Sequence, residues 1–198
     1  MTNSHPADAA IQRLLEGNQR YRSGQAAHPH ANAERRSEIA HGQQPFAIIL
    51  GCVDSRVPPE MVFDCGLGDL FVIRSAGQAL DAAVLGSLEF GVAELHIPLL
   101  VVLGHEKCGA VIATIEALEQ HAQAEGSIQA LVEAIRPAVE QAHTQGGPLL
   151  ESAVQANILL DIAALKKSPV LAEAMHKDEL KIVGAHYSLA SGRVEILA

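Results

Sequence analysis

The sequence predicts a single-domain α/β protein in which helices cover a mainly parallel sheet of four to five strands. The chain has 198 residues and is 48% hydrophobic, which suits one compact domain with a sizeable core. Aromatic residues make up only 3% and Trp is absent, so the core must consist of Ala, Val, Ile and Leu. Short continuous apolar runs also alternate with helical periodicity, which is typical of parallel strands joined by crossover helices.

The N-terminal segment is predicted to form a helical arm. Apolar side chains such as Leu14 recur on one face of a helix over residues 7–21, and the polar stretch 23–36 is predicted to be a loosely ordered connector. Residues 1–36 are therefore expected to form an arm and connector that packs on something else, such as another subunit. Residues 37–198 are expected to form the α/β domain that carries the chemistry.

Short apolar runs in this domain predict buried parallel strands. They are FAIILG at 46–51, LFVIR at 70–74 and LLVVLG at 99–104. Between the last two runs, leucines and valines recur every fourth residue over 79–95, which predicts a helix that covers one sheet face. A strand, a helix and a strand in this order predict a right-handed parallel crossover.

The second half of the domain is predicted to be helical until its last segment. Amphipathic helices are expected at about 109–122, 127–143 and 149–166. The segment 181–197 then reads as a strand, a turn at Ser191-Gly192 and a last strand that can pair antiparallel at an edge.

Charge and hydropathy argue against two classes of function. The net charge of −9 and the scattered basic residues disfavour nucleic-acid binding. No apolar run approaches the roughly 20 residues that span a membrane, and the N-terminus lacks a basic start and an apolar stretch. We therefore expect a cytoplasmic protein without a membrane or nucleic-acid partner. Three cysteines, an odd number, favour metal binding or thiol chemistry over a disulfide framework.

Two strand ends carry the side chains of greatest chemical interest. Cys52 follows the first apolar run, and His105 with Cys108 follows the third. The carboxyl ends of parallel strands share one edge of the sheet, where functional groups gather. Two thiolates and an imidazole suit Zn²⁺, whose fourth position is then open to water, substrate or a carboxylate. A lone cysteine after an apolar run is usually a small core residue. Cys52 differs because His105 and Cys108 are expected at the same edge of the sheet. Cys65 has no such neighbours, so we interpret it as structural.

The stretch LGCVDSRVPPE, residues 50–60, adds a carboxylate and a guanidinium. Alternation along an extended chain points Cys52, Asp54 and Arg56 to the same side. Asp54 could therefore pair with Arg56 or close the metal shell, which suggests a switch. The pair could also be an ion pair that caps a loop, an interpretation that we would prefer if the cysteines and histidine were missing.

At these residues the sequence resembles the β-class carbonic anhydrases, in which CxDSR and, about fifty residues on, GHxxCG carry the zinc site. The segments GLGDLFVIRSAG (66–77), SLEFGVAEL (87–95), VVLGHEKCGAV (101–111) and YSLASGRV (187–194) also look like that family. The resemblance runs from about residue 43 to the end. It implies a homodimer or homotetramer that hydrates CO₂ reversibly to bicarbonate and a proton.

The resemblance also implies roles for individual residues. Cys52, His105 and Cys108 would bind Zn²⁺, and Asp54 with Arg56 would orient zinc-bound hydroxide or, with Asp54 as fourth ligand, close the site. The substrate pocket would be formed by Gln43, Phe71, Phe90 and the Gly109 backbone, with several of its groups supplied by the neighbouring subunit. By residue type alone, Gln43 suits a solvated turn, and Phe71 and Phe90 suit a core.

Four positions in three segments depart from the family pattern. The chain has RSAGQ at 74–78 where the family commonly has RNAGN, and Tyr187-Ser188 where it commonly has Tyr-Asp. Ile49 stands where a subset with an inhibitory bicarbonate pocket has tryptophan. None of these changes touches the expected zinc ligands. They bear on pocket polarity, a dimer contact and that form of inhibition.

The chemistry can also be argued without the family. Zn²⁺ lowers the pKa of bound water from 15.7 to roughly 7 in carbonic anhydrases with three histidine ligands, so hydroxide would be available to attack CO₂ near neutral pH. Two alternatives stay open: hydrolysis of another small heterocumulene such as CS₂ or COS, and a zinc- or thiol-based redox sensor without turnover. An open coordination position and a hydrogen-bonding dyad favour catalysis.

Histidines near the N-terminus suggest a second metal cluster. They are His5, His28, His30 and His41. Because they lie in a polar segment, we interpret them as surface residues.

Overall fold

The computed structural model describes residues 5–197, so residues 1–4 of the predicted arm and residue 198 lie outside the described part. The helices are α1 (Pro6–Arg22), α2 (Ala33–Glu38), α3 (Pro59–Val62), α4 (Ala82–Ala93), α5 (Gly109–Glu119), α6 (Ile128–Gln145), α7 (Leu149–Leu165) and α8 (Pro169–His176). The strands are β1 (Ala47–Cys52), β2 (Leu70–Ser75), β3 (Leu99–His105), β4 (Lys181–Tyr187) and β5 (Val194–Ile196).

The strands form one sheet in the order β2-β1-β3-β4-β5. The pairs β1–β2, β1–β3 and β3–β4 are parallel, and β4–β5 is antiparallel. The predicted α/β class, with its mainly parallel sheet and antiparallel last strand, is thus confirmed. β1 and β3 lie at the centre and every residue in them is buried, which explains their continuous apolar sequences.

Each face of the sheet has its own apolar core because alternate residues of a strand point to opposite faces. Ile48 and Leu50 lie in the core that includes side chains from α4, α6, α7 and α8. Ile49 lies in the core that includes side chains from α1 and α3. Central strands covered on both faces hold the residues at their carboxyl ends in fixed positions.

Three short helices were not predicted from the sequence. They are α2, α3 and α8, and each is too short for its periodicity to stand out. The start of α8 does carry a local signal, because Ser168 precedes Pro169 and its hydroxyl accepts a hydrogen bond from the N–H of Leu171.

The N-terminal helix packs on its own chain's sheet through a buried asparagine. The side-chain amide of Asn18 donates to the carbonyls of Val62 and Gly192, at 3.1 and 2.8 Å. Its oxygen accepts from the N–H of Val194 at 2.9 Å. These three bonds attach α1 both to α3 and to β5. The division of the chain near residue 36 into arm and domain stays a prediction.

Two carboxylates attach the connector, predicted to be loosely ordered, to the domain. Asp64 accepts hydrogen bonds from the N–H groups of Ala27 and His28, and Asp69 lies 2.9 Å from Nδ1 of His30. The oxygens of both carboxylates are almost fully buried. The connector therefore has defined contacts that its polar composition did not indicate.

The prediction for the N-terminal histidines is wrong at His5. His5 is buried, and its Nδ1 accepts a hydrogen bond from the N–H of Ala7 at the start of α1. A helix start leaves N–H groups without partners, and a side-chain acceptor there satisfies one of them. His28, His30 and His41 are exposed, as expected.

None of the helices within residues 5–197 is both long and apolar enough to cross a membrane.

Candidate metal centre

Three buried side chains converge at the carboxyl edge of the sheet. Cys52 ends β1, His105 ends the adjacent β3, and Cys108 lies just before α5. Their sulfur and nitrogen atoms all lie within 4.8 Å of one another. The sequence placed these residues at neighbouring strand ends, and the structure brings them into one cluster.

The orientation of His105 suits a metal ligand. Its Nδ1 lies 2.8 Å from the carbonyl oxygen of Glu106, so Nδ1 carries the proton and donates it, leaving the lone pair on Nε2. Nε2 is buried and has no hydrogen-bond partner among residues 5–197. A buried polar atom without a partner is costly, and a metal ion would satisfy it. Two sulfurs and one imidazole nitrogen are ligands that Zn²⁺ accepts.

The thiols of Cys52 and Cys108 have very different pKa values. The neighbouring Cys108 thiol and His105 ring, together with the hydrogen bond from the N–H of Gly77, lower the pKa of Cys52 to about 4, against the opposing effect of burial. The Cys52 thiolate and burial together raise the pKa of Cys108 far above its usual range. For His105, burial opposes the charged form, but the nearby Cys52 thiolate and the hydrogen bond to the Glu106 carbonyl raise the pKa. Without a metal, the cluster thus favours a thiolate at Cys52, the form that binds metals.

Asp54 and Arg56 form a two-point pair beside this cluster. Oδ1 of Asp54 accepts from Nε of Arg56 at 2.9 Å, and Oδ2 accepts from Nη2 at 2.6 Å. The N–H of Arg56 donates to Oδ1 as well, at 2.9 Å. Arg56 lowers the pKa of Asp54 to about 2, although partial burial opposes this. Oδ2 lies 3.9 Å from Nε2 of His105, so the carboxylate borders the cluster.

The sequence analysis missed the function of Arg74. Its Nε donates to the carbonyl of Cys52 at 2.8 Å, and its Nη2 donates to the carbonyl of Asp54 at 2.7 Å. Arg74 therefore fixes the backbone that carries Cys52 and Asp54. In the sequence, the sign that could have indicated this function is an arginine at the end of the apolar run 70–74.

Gly109 follows Cys108 and begins α5. Apart from its two chain neighbours and the backbone of its own helix, a Cβ built at Gly109 would meet no atom of residues 5–197 within 4 Å, so this position borders open space. This position agrees with the expected place of the Gly109 backbone near substrate, which stays a prediction.

The structure does not bring Phe71 and Phe90 to the cluster of their own chain. Phe71 pairs in register with Ile48, whereas Ser75 pairs with Cys52. Four residues of strand separate Phe71 from Ser75, roughly 13 Å. Phe90 on α4 stacks on Phe71 with ring centroids 6.4 Å apart, and it is 51% exposed. The two rings therefore lie together where α4 covers β2, and Phe71 packs against the core on that face.

Gln43 is also far from the cluster of its own chain. It is exposed and lies before Ala47, the first residue of β1, whereas Cys52 is the last. The length of the strand alone separates the two ends by roughly 16 Å. The expected contact of Gln43 with substrate stays a prediction.

Comparisons with known proteins identify close relatives. A family model described as "Carbonic anhydrase" matches residues 47–194. The carbonic anhydrase of Mycolicibacterium smegmatis is 41% identical over 197 residues, which cover 99% of this chain and 95% of that protein. The solved structure of the β-carbonic anhydrase CcaA is 28% identical, has a TM-score of 0.73 and covers 96% of this chain and 95% of that one. A tetrameric β-carbonic anhydrase from Sordaria macrospora, 22% identical, shares the fold with a TM-score of 0.75 over 96% of this chain and 98% of that one.

Proposed function

Because the chain belongs to the β-class carbonic anhydrase family, we propose that it hydrates CO₂ reversibly to bicarbonate and a proton at a Zn²⁺ ion. Cys52, His105 and Cys108 would hold the ion. The observation that carries this proposal is the convergence of the three ligand atoms within 4.8 Å, one of them the unpartnered Nε2 of His105. Zn²⁺ would supply Lewis acidity there, which lowers the pKa of water so that it loses a proton to solvent near neutral pH and becomes a nucleophile.

Asp54 would orient the nucleophile. With a pKa of about 2, its carboxylate is ionised at neutral pH and can only accept hydrogen bonds. Oδ2 would accept the hydrogen of the attacking oxygen, so that the lone pair on that oxygen points at the carbon of CO₂. Arg56 would keep Oδ2 in place for this task, because it holds both oxygens of the carboxylate.

The same carboxylate could close the site. Oδ2 lies 3.9 Å from Nε2 of His105, so a small rotation of Asp54 away from Arg56 would bring it toward the metal position. Asp54 is bonded to Arg56 in the structure, and this arrangement would leave the fourth position open. We propose that these two arrangements form the switch between active and inactive enzyme.

A second subunit would complete the substrate pocket. Gln43, Phe71 and Phe90 lie too far from their own Cys52 to touch substrate there, but they are exposed or lie at the open β2 edge. In a homodimer or homotetramer, Gln43 would donate a hydrogen bond to the oxygen that gains charge, and the two rings would form an apolar wall.

The direct test is stopped-flow CO₂ hydration, on protein whose zinc per subunit has been assayed, beside an Asp54→Asn variant. We expect turnover that depends on zinc, increases with pH over roughly pH 6.5 to 9 and falls by about 10² to 10⁴ in the variant. Protein with one zinc per subunit and no turnover would refute the proposal, and CS₂ and COS should then be tried as substrates. Loss of zinc on oxidation with no turnover at all would favour the redox sensor.

A further inference from the structure

The sulfur of Cys52 receives a backbone hydrogen bond from Gly77, which lies in the turn that follows β2. The distance from the nitrogen of Gly77 to Sγ of Cys52 is 3.3 Å, and both groups are buried. Gly77 has φ 61° and ψ 25°, the left-handed region. A Cβ at this position would lie 2.7 Å from Cδ1 of Ile135 and 3.0 Å from Cβ of Ala110. Glycine is therefore required for the chain to present this N–H to the sulfur.

Asn157 holds the other polar group of the same glycine. Its Nδ2 donates to the carbonyl oxygen of Gly77 at 2.9 Å, across 80 residues of sequence. Asn157 lies in α7 and is only 3% exposed. Glycine can adopt more backbone conformations than other residues. The orientation of the Gly77 backbone therefore depends on its contacts, and the hydrogen bond from Asn157 is one of them.

The next residue of α7 packs beside the second strand end. A Cβ on Gly104 would lie 2.5 Å from Cδ1 of Ile158, so the helix lies directly against the backbone that precedes His105. One helix thus contacts the backbone next to His105 and the glycine that bonds Cys52. The position of α7 therefore affects both His105 and Cys52.

We propose that Asn157 is a positioning residue of the metal centre, which fixes Gly77 so that its N–H is donated to the sulfur of Cys52. An N–H donor withdraws charge from a thiolate and fixes its direction, and partners of this kind typically contribute 10- to 100-fold to metal affinity. The inference rests on the proposed metal site. It adds a residue that neither motif of that site contains.

The hydrogen bond can be observed directly in the unaltered protein. We would load the protein with an NMR-active cadmium isotope, label its glycines with NMR-active nitrogen and search for scalar coupling between cadmium and a glycine amide proton. Coupling to Gly77 is expected, because its N–H points at a sulfur that would bind the metal. A cadmium-loaded protein without this coupling would overturn the inference.

Two variants then test Asn157 itself. Asn157→Leu keeps the approximate size and removes the donor, and Asn157→Asp keeps the shape but offers an acceptor to a carbonyl. In both we expect zinc affinity, measured by competition with a chelating dye, to fall about 10- to 100-fold. We also expect the thiolate-to-metal charge-transfer band of the cobalt-loaded protein to shift and the cadmium coupling to weaken.

Asn18→Leu is the matched control. Asn18 is also 3% exposed and is bonded to backbone groups, but it lies in α1 and does not contact the cluster. This variant should lose stability without a change in zinc affinity or in the cobalt band. A purely structural Asn157 would behave in the same way, and that result would overturn the inference.

The outcomes also separate this inference from the proposed function. If the protein binds no zinc, cobalt or cadmium, the metal site and the inference both fail. If it binds them and the Asn157 variants match the control, only the inference fails. If Asn157→Leu does not fold, the cadmium coupling is compared between the unaltered protein and Asn157→Asp. Weaker coupling in Asn157→Asp supports the inference, and equal coupling overturns it.

Discussion

The guanidinium of Arg56 holds both carboxylate oxygens of Asp54, with Nε 2.9 Å from Oδ1 and Nη2 2.6 Å from Oδ2. This bond is the largest cause of the low pKa of Asp54, about 2. A carboxyl whose folded-state pKa lies below its unfolded value of roughly 3.9 stabilises the fold above that value and loses the effect as pH falls toward 2. Asp54 therefore does not titrate near neutral pH, and any increase in activity there must come from another group.

Arg56→Gln should reduce CO₂ hydration by at least about 10²-fold, because Asp54 loses the partner that keeps it directed away from the metal position. Zinc content should not fall, since Arg56 is not a proposed ligand. Stopped-flow rates and zinc assays would check both. Arg136→Gln removes a comparable pair with Glu133 on the exposed face of α6 and should leave the rate unchanged. Equal rates in both variants would contradict the proposed dyad.

Replacing single cysteines should separate metal binding from packing. Cys108→Ser should abolish stoichiometric zinc, because one of three ligands is lost from a site that needs thiolates. Cys65→Ser should retain one zinc per subunit. The Cys65 thiol donates to the carbonyl of Phe63, and burial raises its pKa to about 12, so it is a poor ligand. Metal analysis of the purified variants measures zinc per subunit. Zinc loss in Cys65→Ser would argue against Cys65 as a purely structural residue.

Mixing two inactive variants should restore activity if Gln43 serves the neighbouring subunit. Asp54→Asn is expected to inactivate the site of its own chain, and Gln43→Ala is expected to inactivate the site of its partner. In a mixed dimer one site has both defects and the other has none. Random reassociation of equal amounts should give about a quarter of the wild-type rate, since half of the dimers are mixed and each has one intact site. Activity no higher than the average of the two variants would rule out sharing between subunits.

Asp161 on α7 should make the fold more stable at low pH. Burial raises the pKa of its carboxyl well above the ordinary value, and Oδ2 has no hydrogen-bond partner among residues 5–197. A raised folded-state pKa gives a contribution that is complete below the unfolded value of roughly 3.9 and is lost as pH rises. Asp161→Asn should therefore increase the free energy of unfolding at pH 8 by about 1–3 kcal/mol and change it much less at pH 4.

Urea unfolding of wild type and Asp161→Asn at the two pH values measures this difference. Glu119→Gln, which changes an exposed acid at the end of α5, is the control and should give a small shift. A similar gain for Asp161→Asn at both pH values would show that the carboxyl is not the cause.

The sequence alone predicted the sheet and the cluster of Cys52, His105 and Cys108 for one physical reason. Continuous apolar runs identify strands buried on both faces, and parallel strands place their carboxyl ends at one edge. Cys52 and His105 stand at the ends of two such runs, so their proximity followed once the strands were paired. Alternation along the extended chain likewise predicted that Asp54 and Arg56 would meet.

Contacts between residues distant in sequence had no such signal. Arg74 holds the carbonyls of Cys52 and Asp54, and Asn157 reaches Gly77 across 80 residues. An arginine after an apolar run or an asparagine in a helix fits many environments, and only packing selects its partner. His5 was misjudged for the same reason, because its burial depends on where α1 packs.

Tertiary structure also decided which pocket residues can act together in one chain. Strand register places Phe71 beside Ile48, roughly 13 Å along the strand from the residue that pairs with Cys52. The amino acids of the metal site were readable because periodicity and strand ends are local properties. The hydrogen bonds that Arg74 and Asn157 make around this cluster could not be predicted, because they depend on distances that only the packed chain defines.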